Sequence, residues 1–302
     1  MANKSPARRR LDRWLFYPLQ TVLLYGFYGL FALLPLDAAS ALGGFIGTVV
    51  GPRLGPANRR AFHNVSLAFP EKDEVECRAI LRGMWENVGR TFGEYPHLGR
   101  IRDGGRIETV GVEENVRRDA ADRPRIFIGA HVGNWELPGI WTAKHIGRMT
   151  FIYRAPNNRS ADRLICRIRQ RAGMAMARKG AEGTKAALKA LSQGDNLGML
   201  LDQKLNRGVA VPFFGREAMT TPALALFVQR YECPVIPVQV ERLRGAHFRI
   251  TYHAPLELPR TGDRHADIHA AMTLINQVYE DWIRRRPEQW FWMHRRWIDS
   301  IG

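Results

Sequence analysis

The sequence has few cysteines: Cys77, Cys166 and Cys233 are the three among 302 residues. Their number is odd, they are scattered, and none has the close spacing of metal ligands. This pattern excludes a disulfide framework and indicates reduced thiols in a reducing compartment. Internal repeats and long low-complexity linkers are also absent, so the chain is not a repeat protein or a string of tethered modules.

Acidic residues are scarce relative to basic ones. The chain has 29 Asp and Glu against 45 Lys and Arg, which gives a formal charge of +16. We therefore expect an anionic partner: a nucleic acid, an anionic membrane, an acidic protein or a phosphorylated substrate. A hydrophobic content of 45% excludes wholesale disorder and allows a substantial core.

One long apolar run lacks charge altogether. Residues 14–36, "WLFYPLQTVLLYGFYGLFALLPL", are long enough to cross a hydrocarbon layer of about 30 Å. Basic residues flank both sides, so a spanning helix and a helix that dips into one leaflet both stay open. A signal peptide cleaved near Ala38-Ala39-Ser40-Ala41 is a further alternative. We predict a basic head and membrane anchor at 1–52 and a globular domain at 53–302.

The remaining sequence alternates between helical and strand-like patterns. Apolar spacing predicts a helix at about 71–98. Beyond residue 107, the runs "RIFIGA", "MTFIYRA", "LGMLLDQ" and "CPVIPVQV" alternate with helical stretches at 162–172 and 184–191. This alternation predicts an α/β fold with a mostly parallel central sheet flanked by helices, in which functional groups gather at the carboxyl ends of the strands.

A histidine follows the first of these runs. The stretch "IFIGAHVGNWE" places His131 at a strand end and Glu136 five residues later, with Asn134 expected as the N-cap of the next helix. A carboxylate beside one imidazole nitrogen would fix the tautomer and make the ring a general base. The motif contains no serine or cysteine nucleophile, so a substrate hydroxyl would attack. Alternatively, His131 is satisfied by backbone and Glu136 is a solvated first-turn acid.

A metal site is not expected at this motif. The spacing is not His-Glu-x-x-His, and His145 is the only additional histidine nearby. The spacing therefore gives little support for zinc.

The His-x-x-x-x-Glu motif, with its apolar anchor and basic charge, resembles the first block of the lysophospholipid acyltransferase superfamily. Further matching blocks follow in the expected order: "FIYRAPNN" with Arg154, "GDNLGMLLDQ", "VPFFGREAMTTPALALF" and "CPVIPVQV". The tail "YEDWIRRRPEQWFWMHRRW" resembles the carboxyl end of the late acyltransferases of lipid A biosynthesis. Together these blocks cover nearly the whole chain.

The resemblance implies a reaction and its partners. His131 would deprotonate a hydroxyl of a phosphorylated lipid acceptor, Glu136 would orient His131, and acyl carrier protein would supply the acyl thioester without an acyl-enzyme. Asn134 or the backbone N–H groups of 132–134 would hold the oxyanion. The enzyme would act at the inner membrane, facing the cytoplasm, and the resemblance implies no metal or organic cofactor.

The resemblance also suggests residues that bind substrate. Arg154 is expected to meet phosphate, although a surface ion pair is the alternative. The strand end carries Asp202 and Gln203, with Asp202 of uncertain role. Arg295 and Arg296, interleaved with tail tryptophans, suit a phosphorylated headgroup, but a packed tail would look similar. The aromatic pair Phe213 and Phe214 fits either a pocket or plain core.

A short Glu-Gly-Thr stretch, residues 182–184, needs separate interpretation. In glycerolipid acyltransferases such a stretch binds phosphate, but here we expect it to precede a helix without following a strand, with Thr184 as the N-cap. This difference favours the lipid A branch over a glycerol-3-phosphate type of acceptor.

Other functions stay open. One is an acyltransferase for an ornithine lipid or a phosphatidylinositol mannoside, and another is a membrane-tethered protein that binds an anionic ligand without chemistry. No nucleic-acid-binding fold signature is present, so we predict no nucleic-acid partner.

Overall fold

The computed structural model describes residues 12–117, 123–153, 155–156, 158–206 and 208–297. The first helices are α1 Tyr17–Leu33, α2 Leu36–Val50, α3 Gly55–Ala68, α4 Glu74–Glu94 and α5 Leu98–Asp103. The predicted helix at 71–98 is confirmed as α4, with shorter bounds. It begins after Asp73 because the Asp73 carboxylate accepts from the Glu76 N–H while the Glu76 carboxylate accepts from the Asp73 N–H.

A seven-stranded sheet forms the centre of the domain. The strands in chain order are β1 Ile107–Val110, β2 Ile126–Gly129, β3 Met149–Tyr153, β4 Met174–Arg178, β5 Asn196–Leu200, β6 Val209–Phe213, β7 Arg216–Thr220, β8 Val235–Arg244 and β9 His247–Tyr252. The order across the sheet is β1-β9-β8-β2-β5-β3-β4, and β6 and β7 form a separate antiparallel hairpin. Strands β8, β2, β5, β3 and β4 are parallel, whereas β9 is antiparallel to β8.

Helices connect the strands and cover the sheet. They are α6 Leu137–His145, α7 Arg159–Arg171, α8 Ala181–Ser192, α9 Ala223–Tyr231 and α10 Arg264–Arg285. Both faces of the central strands are buried. Ile126 and Ile128 of β2 join the core cluster that contains α4 and α10 residues, whereas Phe127 joins the cluster on the α6 side. A central parallel strand is apolar on both faces for this reason, and the predicted α/β class is confirmed.

Helix α2 packs directly on α4 through glycines. A Cβ atom added to Gly89 would lie 2.1 Å from the carbonyl oxygen of Gly43, and one added to Gly47 would lie 2.1 Å from the carbonyl oxygen of Trp85. The two backbones are therefore in contact. The division of the chain at residue 52 stays a prediction; the helix before it packs on the domain after it.

We expect Gly89→Ala to lower the free energy of unfolding by about 1–3 kcal/mol, because the added methyl group overpacks a backbone contact. The measurement is denaturant unfolding in detergent. Gly26→Ala on α1 is the matched control, since nothing lies within 4 Å of its Cβ position. Equal effects of the two substitutions would contradict the close packing of α2 on α4.

The N-terminal helix exposes most of its apolar surface. The stretch Trp14–Leu33 is long and apolar enough to cross a membrane and is hardly buried within the protein. It contacts the domain through buried Phe31, whose carbonyl oxygen lies 2.9 Å from His97 Nε2, and through Tyr17, whose carbonyl accepts from Asn158 Nδ2 at 3.1 Å. The outer face of α2 adds exposed apolar side chains, among them Leu42, Phe45 and Val49.

Candidate active site

His131 and Asp202 lie side by side at the carboxyl ends of adjacent parallel strands. In the register of β2 and β5, Gly129 pairs with Leu200, and each functional residue follows two positions later. His131 Nδ1 lies 2.7 Å from Asp202 Oδ1, and the His131 backbone N–H donates to Asp202 Oδ2 at 2.9 Å. The carboxylate therefore fixes both the ring and the backbone of the histidine.

The Asp202 carboxylate is fully buried, with 0% exposure. The indole Nε1 of Trp290 donates to its Oδ2 at 2.8 Å. Burial opposes the charged form, but the interaction with His131, including its hydrogen bond, outweighs burial and lowers the pKa of Asp202 well below its usual value. A charged Asp202 requires a proton on His131 Nδ1, which leaves Nε2 as the acceptor.

A second histidine, His294, lies near the same side-chain amide as His131, that of Gln203. Gln203 Nε2 lies 3.2 Å from His131 Nε2 and 3.4 Å from His294 Nε2. One amide NH₂ carries two hydrogens and can donate to both imidazoles. Burial, with His131 nearby, lowers the pKa of His294 to about 3, so this ring is neutral near pH 7. His294 was not predicted as a site residue; its only sequence signal is its position inside the aromatic tail.

Glu136 is held by other partners. Arg169 donates to its two carboxylate oxygens at 2.8 and 2.6 Å, and the Tyr95 hydroxyl donates at 2.6 Å. Glu136 is only 4% exposed; burial raises its pKa, but Arg169 outweighs burial, and the net shift is downward. The position expected for Glu136, beside an imidazole nitrogen, is occupied by Asp202. Sequence reasoning missed Tyr95 and Arg169, which lie on elements distant in the chain.

His131, Glu136 and Gln203 line a cavity of about 500 Å³. Arg169 lines the same cavity. Its wall is otherwise largely apolar and includes Phe151, Met174, Met176, Met199, Leu201 and Phe227. A basic imidazole nitrogen beside an apolar cavity of this size can activate a hydroxyl next to a bound hydrocarbon group.

The bacterial lipid A biosynthesis acyltransferase family model matches residues 1–299. The chain belongs to this family. Similar relatives from Escherichia coli (strain K12) include the lipid A biosynthesis myristoyltransferase, 26% identical over 83% of this chain and 77% of the relative. The lipid A biosynthesis palmitoleoyltransferase is 25% identical over 90% of this chain and 88% of the relative. The lipid A biosynthesis lauroyltransferase is 28% identical over 77% of this chain and 76% of the relative. The resemblance drawn from the sequence is confirmed.

Membership defines the reaction class. The protein is an O-acyltransferase of lipid A biosynthesis, and a lipid is its acceptor. The family and the apolar N-terminal helix together indicate membrane association.

In this acyltransferase, Asn134 is a buried structural contact of the turn after His131. Its Nδ2 donates to Glu94 Oε2 at 2.8 Å, and its Oδ1 accepts from the Glu136 N–H at 3.3 Å. The prediction that Asn134 caps the next helix is wrong, because α6 begins at Leu137 and Glu136 occupies the cap position.

Two of the backbone groups expected to hold an oxyanion already have acceptors. The Val132 N–H donates to the Ala130 carbonyl at 2.8 Å, and the Gly133 N–H donates to the Gln289 carbonyl at 3.0 Å. These bonds fix the turn that follows His131.

A buried ion pair is linked to this turn by hydrogen bonds. Arg242 donates to both carboxylate oxygens of Glu94 and, through Nε, to Asn87 Oδ1 at 2.8 Å. Asn87 Nδ2 in turn donates to the Gly133 carbonyl at 3.0 Å. Glu94 and Arg242 are both buried, so the network ties α4 and β8 to the turn after His131 in a region of low dielectric.

The tail of the acyltransferase is packed into the protein. Trp290, Trp292 and Trp297 are buried, as are Phe213 and Phe214, so the core alternatives stated for these aromatic residues are correct.

The arginines singled out for binding occupy different environments. Arg296 is 0% exposed and donates to Thr220 Oγ1 at 2.8 Å and Asn276 Oδ1 at 3.0 Å. Burial lowers the pKa of Arg296 to about 10. Arg295 is exposed, and Arg154 lies outside the described residues.

The prediction for the Glu-Gly-Thr stretch is wrong. Strand β4 ends at Arg178 and α8 begins at Ala181, so residues 182–184 do follow a strand. Thr184 lies in the first turn of α8, where its Oγ1 donates to the Gly180 carbonyl at 3.2 Å. The strand was missed because β4 is at the sheet edge, where Ala175 and Arg178 are exposed and no continuous run of β-branched or large apolar residues marks a strand.

The candidate site also brings together residues that could ligate a metal. One ligand atom each from His131, Asp202 and His294 lie within 4.8 Å of one another. However, the Asp202 oxygens accept three hydrogen bonds, from His131 Nδ1, the His131 N–H and Trp290 Nε1. This donor arrangement suits proton transfer through the imidazole better than metal ligation by the carboxylate.

Proposed function

We propose that the protein transfers a fatty acyl chain from an acyl carrier protein thioester to a hydroxyl of a phosphorylated lipid A precursor, at the cytoplasmic face of the inner membrane. The observation that carries this proposal is the His131–Asp202 pair at the wall of the apolar cavity. The charge of +16 supports an acidic donor protein and a phosphorylated acceptor.

In the proposed mechanism, the acceptor hydroxyl replaces the Gln203 amide at His131 Nε2. His131 removes the hydroxyl proton as the oxygen attacks the thioester carbonyl, and Asp202 stabilises the imidazolium that forms. The tetrahedral intermediate then collapses with cleavage of the carbon–sulfur bond. The imidazolium returns its proton to the departing thiolate. Because the acceptor oxygen attacks the thioester directly, no acyl-enzyme is formed.

Glu136 has an indirect role in this mechanism. Its bidentate contact with Arg169 holds a guanidinium at the cavity wall, while Tyr95 fixes the carboxylate. Substrate phosphate is assigned to two arginines, the exposed Arg295 and Arg154, as the proposed ligands.

Family membership favours lipid A over the other acceptors considered. The names of the relatives refer to lipid A and to myristoyl, palmitoleoyl and lauroyl groups, which agrees with an apolar cavity for the donor chain. A protein that only binds an anionic ligand has no need for a histidine oriented by a buried carboxylate.

We expect folded His131→Ala to lose at least about 10³-fold in kcat, because the general base and the later proton donor are both removed. The measurement is transfer of radiolabelled acyl groups from a panel of carrier protein thioesters to a lipid A precursor in detergent. The exposed His145→Ala is the matched control and should retain native activity. Undiminished turnover in His131→Ala, or no turnover by native protein with any donor, would overturn the proposal.

A further inference from the structure

Helix α7 presents a row of arginines to solvent. Arg159, Arg163, Arg167 and Arg171 are all exposed and recur at every fourth residue. Residues at this spacing lie next to one another on a helix surface, and 12 residues of α-helix extend about 18 Å. We name these four residues the arginine ridge.

The ridge is unfavourable for the isolated helix. Like charges at i and i+4 destabilise a helix, and Arg159 also lies at its N-terminal end, where the helix dipole disfavours a cation. Elsewhere the chain places a glutamate four residues before an arginine, as in Glu74–Arg78, Glu86–Arg90 and Glu280–Arg284. Within the described part of the chain, no ridge arginine has an ion pair. A row of unpaired arginines is typical of a surface that binds an anionic partner.

The one acid of the helix does not compensate the ridge. Asp162 is buried, accepts from the Tyr153 hydroxyl at 2.9 Å and forms its ion pair with Arg178. The ridge therefore keeps its full positive charge toward solvent.

The same helix reaches the cavity. Arg169, on another face of α7, lines the cavity and binds Glu136, so the ridge and the proposed reaction site are connected by one rigid element. An anionic protein held on the ridge would lie next to the cavity that receives the acyl chain.

We propose that the arginine ridge docks the acidic carrier protein that delivers the acyl thioester, an inference that rests on the proposed function. A protein partner fits better than a lipid surface, because none of the large exposed apolar residues lies on α7. A helix that inserts at a membrane interface needs such residues beside its basic ones. In this protein most of the large exposed apolar residues lie on α1 and the outer face of α2.

The test compares two double variants of the full chain in detergent. Arg163→Glu/Arg167→Glu reverses the centre of the ridge, and Arg82→Glu/Arg216→Glu reverses two exposed arginines elsewhere. Both lower the formal charge equally, so a general loss of electrostatic steering affects them alike. Each is assayed with the carrier protein thioester and with a small N-acetylcysteamine thioester of the same acyl chain. Binding of the carrier protein is measured separately by fluorescence anisotropy.

We expect the ridge variant to raise the KM for the carrier thioester and the Kd for the carrier protein by about tenfold or more, with a weaker salt dependence. Its rate with the small thioester should stay native, and the control variant should behave as native with both donors.

Unchanged carrier binding in the ridge variant, or an equal loss with both donors, would overturn the docking assignment. Loss of binding to anionic phospholipid vesicles with unchanged carrier binding would reassign the ridge to a membrane surface. If native protein binds the carrier through the ridge but transfers no acyl group, the docking site stands and the proposed acyltransfer reaction fails.

Discussion

Replacing Asp202 by asparagine should lower kcat by about 10⁴-fold while the protein remains folded. The asparagine amide is nearly isosteric with the carboxylate, but it can donate to His131 Nδ1 and so favours the tautomer with the proton on Nε2. In that tautomer His131 cannot accept the hydroxyl proton, and the charge that stabilises the imidazolium is lost. Steady-state kinetics with saturating donor and acceptor measures the change, and tryptophan fluorescence reports whether the fold is intact.

Glu136→Gln is the matched comparison for this prediction. It also replaces a buried carboxylate near the site by an amide, but the carboxylate it removes binds Arg169 and Tyr95. We expect a smaller loss in kcat, about 10- to 100-fold. If Glu136→Gln costs far more activity than Asp202→Asn, then Glu136, as the motif spacing suggested, is the residue that orients the base.

Glu94→Leu should lower the free energy of unfolding by about 3–5 kcal/mol, the largest stability effect we predict. The substitution leaves the buried guanidinium of Arg242 without its counter-charge and removes the acceptor of Asn134 Nδ2. Denaturant unfolding in detergent, followed by tryptophan fluorescence, measures the change.

Two controls test whether the loss of stability comes from the unpaired buried charge. The double variant Glu94→Leu/Arg242→Met removes both charges and should recover most of the lost stability, since an apolar pair can replace a buried ion pair. Glu108→Ala breaks the exposed pair with Arg249 and should cost about 1 kcal/mol or less. An effect of Glu94→Leu no larger than that of Glu108→Ala would contradict the role assigned to the buried pair.

Much of the fold could be predicted because the central strands are buried on both faces. Runs such as "IFIGA" and "CPVIPV" are apolar throughout, and a central parallel strand requires that composition. The edge strand β4 carries no such requirement and was missed. The location of His131 at a strand end was also predictable from the transition between an apolar run and a polar turn.

The partner of His131 could not be predicted from spacing. Glu136 is five residues away in the chain, whereas Asp202 is 71 residues away and becomes a neighbour only because β2 pairs with β5. The order of strands in a sheet follows from packing of the whole domain, and no local pattern encodes it. The same reason applies to His294, which reaches the site from the tail, and to Arg169, which reaches Glu136 from α7.

The tail also determines when the site is complete during synthesis. The segment that supplies Trp290 to Asp202, the Gln289 carbonyl to Gly133 and the Phe291 N–H to the His131 carbonyl follows every strand of the sheet in the chain. A ribosome adds about 5–20 residues per second, and the sheet emerges before this segment does. A nascent chain at this stage has His131 and Asp202 but lacks the contacts that the tail makes with them, so we expect the site to be complete only after translation has passed the tail.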